Sequence, residues 1–224
     1  MADAPAVPVI AIDGPSGSGK GTLAADLAKR LGWHYLDSGA LYRIVAAVAL
    51  TRGIDLDAAT ALAKMAAEVD VRFEQGEVYA DGENLTDAIR REEISIASSQ
   101  VAALPGVRNA IRTQQHNQRR PPGLVADGRD MGTVVFRDAD CKIFLDASAE
   151  VRAERRHKQL KNKGLSVSFR ALLASIEERD ARDTGRAVSP LTPAEDAVVI
   201  DSTRMNIEEV LEHVLAIVVE RGLM

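Results

Sequence analysis

Few features of secreted, membrane or nucleic-acid-binding proteins occur in this sequence. Its 224 residues include one cysteine, Cys141, so no disulfide can form within the chain, which fits a reducing compartment. No apolar run approaches the roughly 18 residues that cross a membrane. The first seven residues carry neither the basic cluster nor the apolar core of a signal peptide. We therefore expect a cytoplasmic protein.

Charge and histidine content argue against two kinds of binding site. The 28 basic and 33 acidic residues give a net charge of −5, and an acidic chain without a basic tail is a poor candidate for binding nucleic acid. Four scattered histidines have no metal-ligand spacing, so we expect no zinc site. With 46% hydrophobic residues the chain can bury a substantial core, in one domain or two.

A glycine-rich stretch is the most informative feature that is present. It follows the apolar run Val9–Ile12 and precedes the amphipathic segment Leu23–Leu31. A strand, a glycine-rich loop and a helix in this order are the context of a phosphate-binding P-loop. We expect Lys20 to reach the outer phosphates of a nucleotide and the Thr22 hydroxyl to support a magnesium ion. The nine residues of the stretch are Gly14, Pro15, Ser16, Gly17, Ser18, Gly19, Lys20, Gly21 and Thr22.

The loop departs from the strict P-loop pattern at Gly21, where Ser or Thr normally follows the lysine. The resulting Gly-Lys-Gly-Thr resembles small nucleoside-monophosphate kinases more than GTPases or motor ATPases. A regulatory GTPase should also show a D-x-x-G switch and an N-K-x-D motif. The sequence has neither, since the nearest match, Asn162–Leu165, lacks the final aspartate.

Apolar β-type runs alternate with helical patterns along most of the chain. Strands buried on both faces with helical crossovers indicate an α/β fold with a parallel sheet. After Val9–Ile12, the predicted strands are His34–Leu36, Leu124–Ala126, Cys141–Leu145 and Ala197–Ile200. The predicted helices include Ala40–Thr51, Val107–Arg119, Ala149–Lys163, Phe169–Thr184 and Ile207–Arg221.

The segment Val69–Ala80 departs from this alternation. It predicts two strands, around Val71–Phe73 and Val78–Ala80, joined through Glu74–Glu77, with Asp81-Gly82 as a second turn signal. This pattern indicates a small antiparallel insertion, flanked by helical segments.

Several predicted strands end in an aspartate, and the C-terminal ends of strands are where α/β proteins bind ligands. We expect most of these aspartates to be helix caps or turn residues. Asp127 is the exception, predicted to hold water on magnesium opposite the P-loop, with a β-turn as the alternative. In Leu36–Arg43, Ser38 is a candidate cap, and Arg43 lies about one turn into a helix and can reach an anion.

Arginine residues concentrate between Val151 and Arg186. The run Val151–Lys163 has six basic residues and one acidic, and Glu178–Arg186 interleaves three arginines with carboxylates. A solvated helix face with i,i+4 ion pairs is one explanation. The alternative is a mobile lid that surrounds a transferring phosphoryl group with cations and excludes water.

Four motifs together resemble the bacterial cytidylate kinases, a family of P-loop nucleoside-monophosphate kinases. The first is shared by many kinases, whereas the second and third together are specific to the family. They are Ile12–Thr22, Leu36–Arg43, Ala126–Phe136 and Arg179–Asp183, and the likeness extends from about Val9 to the C-terminus. The resemblance implies direct in-line transfer of the γ-phosphate of ATP to CMP or dCMP with Mg²⁺. It also implies a five-stranded parallel sheet flanked by helices, with a lid and a small antiparallel sheet in the monophosphate-binding region.

The resemblance further implies roles for residues of matching type. Arg43 and Arg129 would hold the CMP phosphate. The cytosine would be surrounded by Ser38, Ser99, Arg108 and Asp130, and a carboxylate suits the cytosine amino group. Arg179 and Asp183 would meet the sugar and Arg186 the transferring phosphate. Arg155 and Arg156 are both candidates for a lid arginine that contacts ATP, and the catalytic residues would be Lys20, Arg129 and Arg186.

These implications give a single kinase domain over residues 1–224. Its core would comprise about residues 8–37, 104–150 and 188–224, with a monophosphate-binding region at about 38–103 and a lid at about 151–187. We expect a monomer whose partners are nucleotides, with no nucleic acid or membrane. The alternatives are a kinase for another small acceptor, such as UMP, AMP or a shikimate-like compound, and a non-catalytic nucleotide-binding module.

Overall fold

Strands and helices alternate along most of the chain in the computed structural model, which describes residues 7–74, 77–162 and 164–224. The strands are β1 (Val9–Asp13), β2 (His34–Asp37), β3 (Val71–Glu74), β4 (Glu77–Ala80), β5 (Glu83–Asn84), β6 (Leu124–Gly128), β7 (Cys141–Asp146) and β8 (Val198–Asp201). The helices are α1 (Lys20–Leu31), α2 (Ser38–Thr51), α3 (Ala59–Glu68), α4 (Glu92–Val101), α5 (Pro105–His116), α6 (Ala149–Asn162), α7 (Phe169–Thr184) and α8 (Ile207–Glu220). Two short turns complete the description, a 3₁₀ helix at Ala88–Arg90 and a π-helical turn at Met131–Val135.

The main sheet has five strands in the order β2-β6-β1-β7-β8, and β1 at its centre runs parallel to both of its neighbours. All five residues of β1 are buried. Ile10 and Ile12 point to one face, where they join a hydrophobic cluster with residues of α1 and α8. The predicted α/β fold with a five-stranded parallel sheet is confirmed. Parallel order places the C-terminal ends of β1, β6 and β7 at one edge of the sheet.

The chain divides into two compact units. The first consists of the residues up to Leu36 together with Gln118–Met224, and the second of Asp37–Asn117. In the second unit, α2 packs against α4 and α3 against α5, and the same unit contains the antiparallel sheet β3-β4-β5. The predicted antiparallel insertion is therefore confirmed, with Val71 opposite Ala80 and Phe73 opposite Val78. The division into core, monophosphate-binding region and lid stays a prediction.

Several local predictions need correction. Ser38 does not cap α2, because Asp37 is the N-cap and its Oδ1 accepts a hydrogen bond from Ala40 N–H at 2.9 Å. The helix predicted at Val107–Arg119 is α5, which begins earlier, at Pro105, and ends earlier, at His116. Proline is a favoured first residue of a helix. The short strand β5 and the π-helical turn were not predicted.

Some sequence predictions lie outside the described residues. They concern the start of the chain (residues 1–6), Gln75 and Gly76 of the predicted link between two strands, and Lys163 in the basic run. Over the described ranges, none of the helices combines the length and the apolar character needed to cross a membrane.

Candidate active site

The glycine-rich loop leaves β1 at Asp13 and enters α1 at Lys20. Gly14 has a φ of 155°, and a Cβ atom there would lie 2.1 Å from the carbonyl oxygen of Leu145 on β7. Only glycine fits such a close approach to a neighbouring strand. The loop can therefore follow the sheet edge before it turns into the helix.

The N-terminus of α1 has the properties of an anion-binding site. Its N-cap, Gly19, provides no side-chain cap, and the first turn contains no acidic residue. Helix N–H groups without side-chain acceptors, together with the helix dipole, attract an anion. Lys20 is buried, and its Nζ donates to the Pro15 carbonyl at 3.2 Å, so the ammonium lies against the loop. Main-chain donors and a fixed cation in one place suit a polyphosphate.

A buried carboxylate, Asp127, lies beside the first turn of α1. The Tyr35 hydroxyl donates to its Oδ2 at 3.3 Å, and a Cβ atom on Gly21 would lie 3.0 Å from the same oxygen. A serine or threonine in place of Gly21 would bring its Cβ atom into tight contact with this carboxylate, whereas glycine leaves room for it. Thr22, in the same turn, is exposed.

The residues present fit a magnesium ion held partly by a nucleotide. Among the described residues, no group of three or more His, Cys, Asp or Glu side chains is placed to hold a metal by itself. Mg²⁺ in phosphoryl-transfer sites usually keeps several waters and takes one or two carboxylates plus phosphate oxygens. Asp127 offers one such carboxylate next to the phosphate-binding loop.

Asp183 of α7 is a buried carboxylate that gathers three arginines. Arg129 Nε donates to its Oδ2 at 2.9 Å, Arg186 donates to its Oδ1, and Arg179 lies 4.0 Å from Oδ2. Burial alone would raise the pKa of Asp183, but the guanidiniums of Arg129, Arg186 and Arg179 hold it below its ordinary value. One negative charge among three positive charges leaves a cationic cluster, as the binding of a phosphate requires.

Arg152 of α6 contacts the P-loop, although sequence reasoning placed it only in the basic run and not among the candidate site residues. It is 4% exposed and donates to the carbonyl of Ser16 in the P-loop at 3.0 Å and to that of Ala147 at 2.8 Å. Its guanidinium also bonds both carboxylate oxygens of Asp180 on α7, at 3.1 and 2.5 Å. The available signal was its position three residues before Arg155, on the same helical face.

Arg155 and Arg156 are the predicted ATP-binding residues of α6. Arg155 Nη1 donates to the Ser18 carbonyl in the P-loop at 3.0 Å, and its Nη2 donates to the Ser202 carbonyl at 2.7 Å. Burial lowers the pKa of the Arg155 guanidinium. Arg156 is half-buried on the same helix. The structure therefore brings Arg155 to the P-loop, whereas contact of either residue with ATP stays a prediction.

The second unit holds the other predicted acceptor residues. Ser38 begins α2 and is 3% exposed, and Arg43, one turn later, is half-buried. Arg108 of α5 is buried, donates to the Ala102 carbonyl at 3.0 Å and lies 5.4 Å from the ring centroid of Tyr42.

Ser99 of α4 has a buried hydroxyl with no hydrogen-bond partner in the part of the chain that the structure describes. Such a group usually has a partner. A polar ligand atom would satisfy it.

The predicted site residues are thus distributed over both units. Within the first unit the structure assembles one cationic cluster and one phosphate-binding loop. The first unit contains Gly14 to Thr22, Asp127, Arg129, Asp130, Arg155, Arg156, Arg179, Asp183 and Arg186; the second contains Ser38, Arg43, Ser99 and Arg108.

A sequence model of the cytidylate kinases matches residues 10–220, which is nearly the whole chain. The chain belongs to the cytidylate kinase family. The resemblance carried by the four sequence motifs is confirmed. As a member of this family the protein is an ATP-dependent nucleoside-monophosphate kinase, and neither another small acceptor nor a non-catalytic role is favoured.

Individual cytidylate kinases are similar along almost their full length. That of Aeromonas hydrophila is 58% identical over 213 residues, 93% of this chain and 93% of the relative. That of Stutzerimonas stutzeri is 56% identical over 223 residues, 97% of each chain. That of Klebsiella pneumoniae is 54% identical over 213 residues, 93% of this chain and 94% of the relative.

Proposed function

We propose that this protein transfers the γ-phosphoryl group of ATP directly to CMP or dCMP, giving ADP and CDP or dCDP. The observation that carries the proposal is the P-loop followed by an uncapped helix N-terminus, with the buried Lys20 against the loop. Phosphoryl transfer needs positioning and stabilisation of charge more than covalent chemistry. The phosphate-binding loop and the cluster of arginines supply both in this proposal.

ATP binds, in this proposal, through the backbone N–H groups of Gly14–Thr22 and the ammonium of Lys20. Arg155 and Arg156 contact ATP from the proposed lid, at about residues 151–187. Thr22 and Asp127 would hold Mg²⁺ through intervening water, and the ion would supply positive charge that offsets the charge of the phosphates.

CMP or dCMP is the proposed acceptor. Its phosphate is held by Arg43 and Arg129, whose guanidinium forks match phosphate oxygens. Its sugar meets Arg179 and Asp183. Arg186, which bonds Asp183, stabilises the transferring group, so the proposed catalytic residues are Lys20, Arg129 and Arg186.

Cytosine recognition is assigned to Ser38, Ser99, Arg108 and Asp130. A carboxylate accepts from the N4 amino group, and an arginine donates to the N3 and O2 acceptors. Uracil reverses the pattern at positions 4 and 3. It would leave buried groups unpaired at a cost of about 1–3 kcal/mol each.

We propose that the protein works as a monomer.

A coupled ADP-release assay with ATP and Mg²⁺ tests the reaction. CMP, dCMP, UMP, AMP and GMP are compared in parallel at equal concentrations. We expect fast turnover on CMP and dCMP and little on the other three. Turnover led by another acceptor would contradict the cytosine assignment, and no turnover on any of the five would contradict the kinase activity itself.

Asp130→Ala tests the assignment of base recognition. Asp130 is 2% exposed, so little water is available to replace its carboxylate as a hydrogen-bond acceptor. We expect kcat/KM for CMP to fall by about tenfold or more, because a charge-assisted hydrogen bond is lost. The value for UMP should change much less. An equal loss on both acceptors would contradict the role of Asp130.

A further inference from the structure

Asp13 is a buried carboxylate that belongs to none of the residue sets assigned above. It is the last residue of β1, pairs with Gly128 of β6 and Phe144 of β7, and is 5% exposed. The next residue, Gly14, opens the P-loop. Burying a charged side chain costs free energy unless it is well hydrogen-bonded. Its partners therefore indicate what it does.

These partners are two main-chain amides of the π-helical turn Met131–Val135. Met131 N–H donates to Oδ1 of Asp13 and Gly132 N–H donates to Oδ2, each at 2.8 Å. The N-cap residue of the turn, Asp130, forms no capping hydrogen bond with its own side chain. Asp13 thus caps a turn that begins 118 residues further along the chain.

The turn follows directly on Arg129 and Asp130, which are proposed to bind the phosphate and the base of CMP. The guanidinium of Arg129 is already held by Asp183 at 2.9 Å and by the Gly128 carbonyl at 3.2 Å. Those bonds fix the side chain. The bonds of Asp13 fix the main chain that carries the Arg129 side chain. Asp13 is therefore bonded covalently to the P-loop and by hydrogen bonds to the segment proposed to bind the acceptor.

We propose that Asp13 is a positioning residue of the kinase reaction, whose carboxylate fixes Arg129 and Asp130 relative to the P-loop. The inference rests on the proposed function, because it requires these two residues to bind CMP. A misplacement of about 1 Å can slow a reaction about a hundredfold. A carboxylate is required because it offers one oxygen to each amide, whereas asparagine offers one oxygen and a competing donor.

The surroundings of Asp13 are consistent with an ionised acceptor at neutral pH. Burial raises the pKa of Asp13 to about 6 and Asp130 adds to the effect, while the two amides and Arg129 lower it. Lys142 of β7, whose stem lies near Gly132, donates instead to the Arg137 carbonyl at 2.7 Å and to Asp196 at 3.0 Å.

Asp13→Asn tests the proposal, with Asp140→Asn as the matched control. Asp140 Oδ2 accepts from Val9 N–H at 2.8 Å, at the opposite end of β1, so the control makes the same substitution at another aspartate bonded to the main chain, away from the site. Steady-state constants are measured for CMP at saturating ATP and for ATP at saturating CMP. We expect Asp13→Asn to lower kcat/KM for CMP about tenfold or more, with KM for ATP within about twofold of wild type. Asp140→Asn should leave both unchanged.

Three results would overturn the proposal. They are an unchanged kcat/KM for CMP in Asp13→Asn, an equal loss of kcat/KM for CMP and for ATP, and the same loss of kcat/KM for CMP in Asp140→Asn. If Asp13→Asn does not fold, Asp13→Glu takes its place. Glutamate keeps two acceptor oxygens on a longer stem and should shift the turn. Constants for CMP equal to those of wild type would then overturn the proposal.

Amide hydrogen exchange provides a readout that does not depend on activity. Exchange at Met131 and Gly132 should be faster in Asp13→Asn than in wild type and unchanged in Asp140→Asn. Wild type without turnover on CMP contradicts the proposed function, whatever the exchange rates. Normal wild-type turnover with unchanged CMP constants in Asp13→Asn contradicts this inference alone.

Discussion

Two buried aspartates of the first unit have pKa values shifted in opposite directions. The pKa of Asp13 is raised to about 6, chiefly by burial. The pKa of Asp183 is lowered from its ordinary 3.8 because three guanidiniums outweigh the effect of its burial. Ionised Asp183 therefore contributes stability that is complete above about pH 4 and lost as the pH falls through its folded-state pKa. The contribution of Asp13 to the pH dependence has the opposite sign. Because the folded state holds the Asp13 proton more tightly, this contribution to stability decreases as the pH rises from about 4 to about 6.

Asp183→Asn should be strongly destabilising at neutral pH. The substitution leaves Arg129, Arg179 and Arg186 around a neutral amide, and removing one partner of a buried ion pair costs about 3–5 kcal/mol. We expect the difference in free energy of unfolding from wild type to be constant between about pH 5 and 8 and to shrink below about pH 4. Urea denaturation across this range measures it.

Asp138→Asn is the control for that experiment. Arg119 donates to Asp138 Oδ2 at 2.6 Å, but the Asp138 side chain is 68% exposed, so the control should cost about 1 kcal/mol or less. A loss in Asp183→Asn no larger than in this control would contradict the account of the cluster.

At the scale of elements, α6 and α7 are tied to the P-loop by Arg152. Its guanidinium donates hydrogen bonds to the Ser16 carbonyl of the loop, the Ala147 carbonyl before α6 and the Asp180 carboxylate of α7. The two helices that carry the proposed lid arginines are thus joined at a point next to the P-loop. The same helices carry Arg155 and Asp183, which are proposed to contact ATP and the sugar of CMP, so we expect a change at Arg152 to affect both.

Arg152→Ala should destabilise the protein by about 2 kcal/mol or more, because it leaves a carboxylate and two main-chain carbonyls without their donor. This lower bound lies below the roughly 3–5 kcal/mol of a fully buried pair because the Asp180 side chain is 25% exposed. Arg30→Ala is the control, since Arg30 and Glu212 form an exposed pair at 3.6 Å worth about 1 kcal/mol or less. Chemical denaturation of both variants measures the difference. Equal losses would contradict a structural role for the Arg152 network.

Hydrophobic periodicity predicted the elements better than it predicted their ends and caps. Apolar residues form continuous runs in β1 and β7 and recur with helical spacing in α8. These three elements were therefore predicted. Asp37 and Ser38 are both good caps, and only the backbone geometry decides between them. The π-helical turn was missed because its cap, Asp13, comes from a distant strand. No local pattern records such a contact.

At the scale of the molecule, strand order explains why separate motifs lie at one edge of the sheet. Because β1 lies between β6 and β7 and is parallel to both, the P-loop that follows β1 begins at the same edge of the sheet where Asp127 of β6 and Asp146 of β7 lie. The sequence identified the P-loop and Asp127 but contained no direct signal for this order. The assignment of Ser38, Arg43, Ser99 and Arg108 to the acceptor stays a prediction from the family resemblance, because isolated serines and arginines have no diagnostic spacing.

Ligand-dependent stability separates the two nucleotide assignments. A ligand present at about one hundred times its Kd stabilises the folded state by about 2.7 kcal/mol, so Mg-ATP alone and CMP alone should each raise the Tm of wild type. Lys20→Ala should lose most of the shift with Mg-ATP and keep that with CMP. Arg43→Ala should do the reverse, because Arg43 is assigned only to the CMP phosphate. GMP, which lacks the cytosine pattern, should give little shift in any of the three proteins. A variant that loses both shifts while it remains folded would contradict the division of these residues between ATP and CMP.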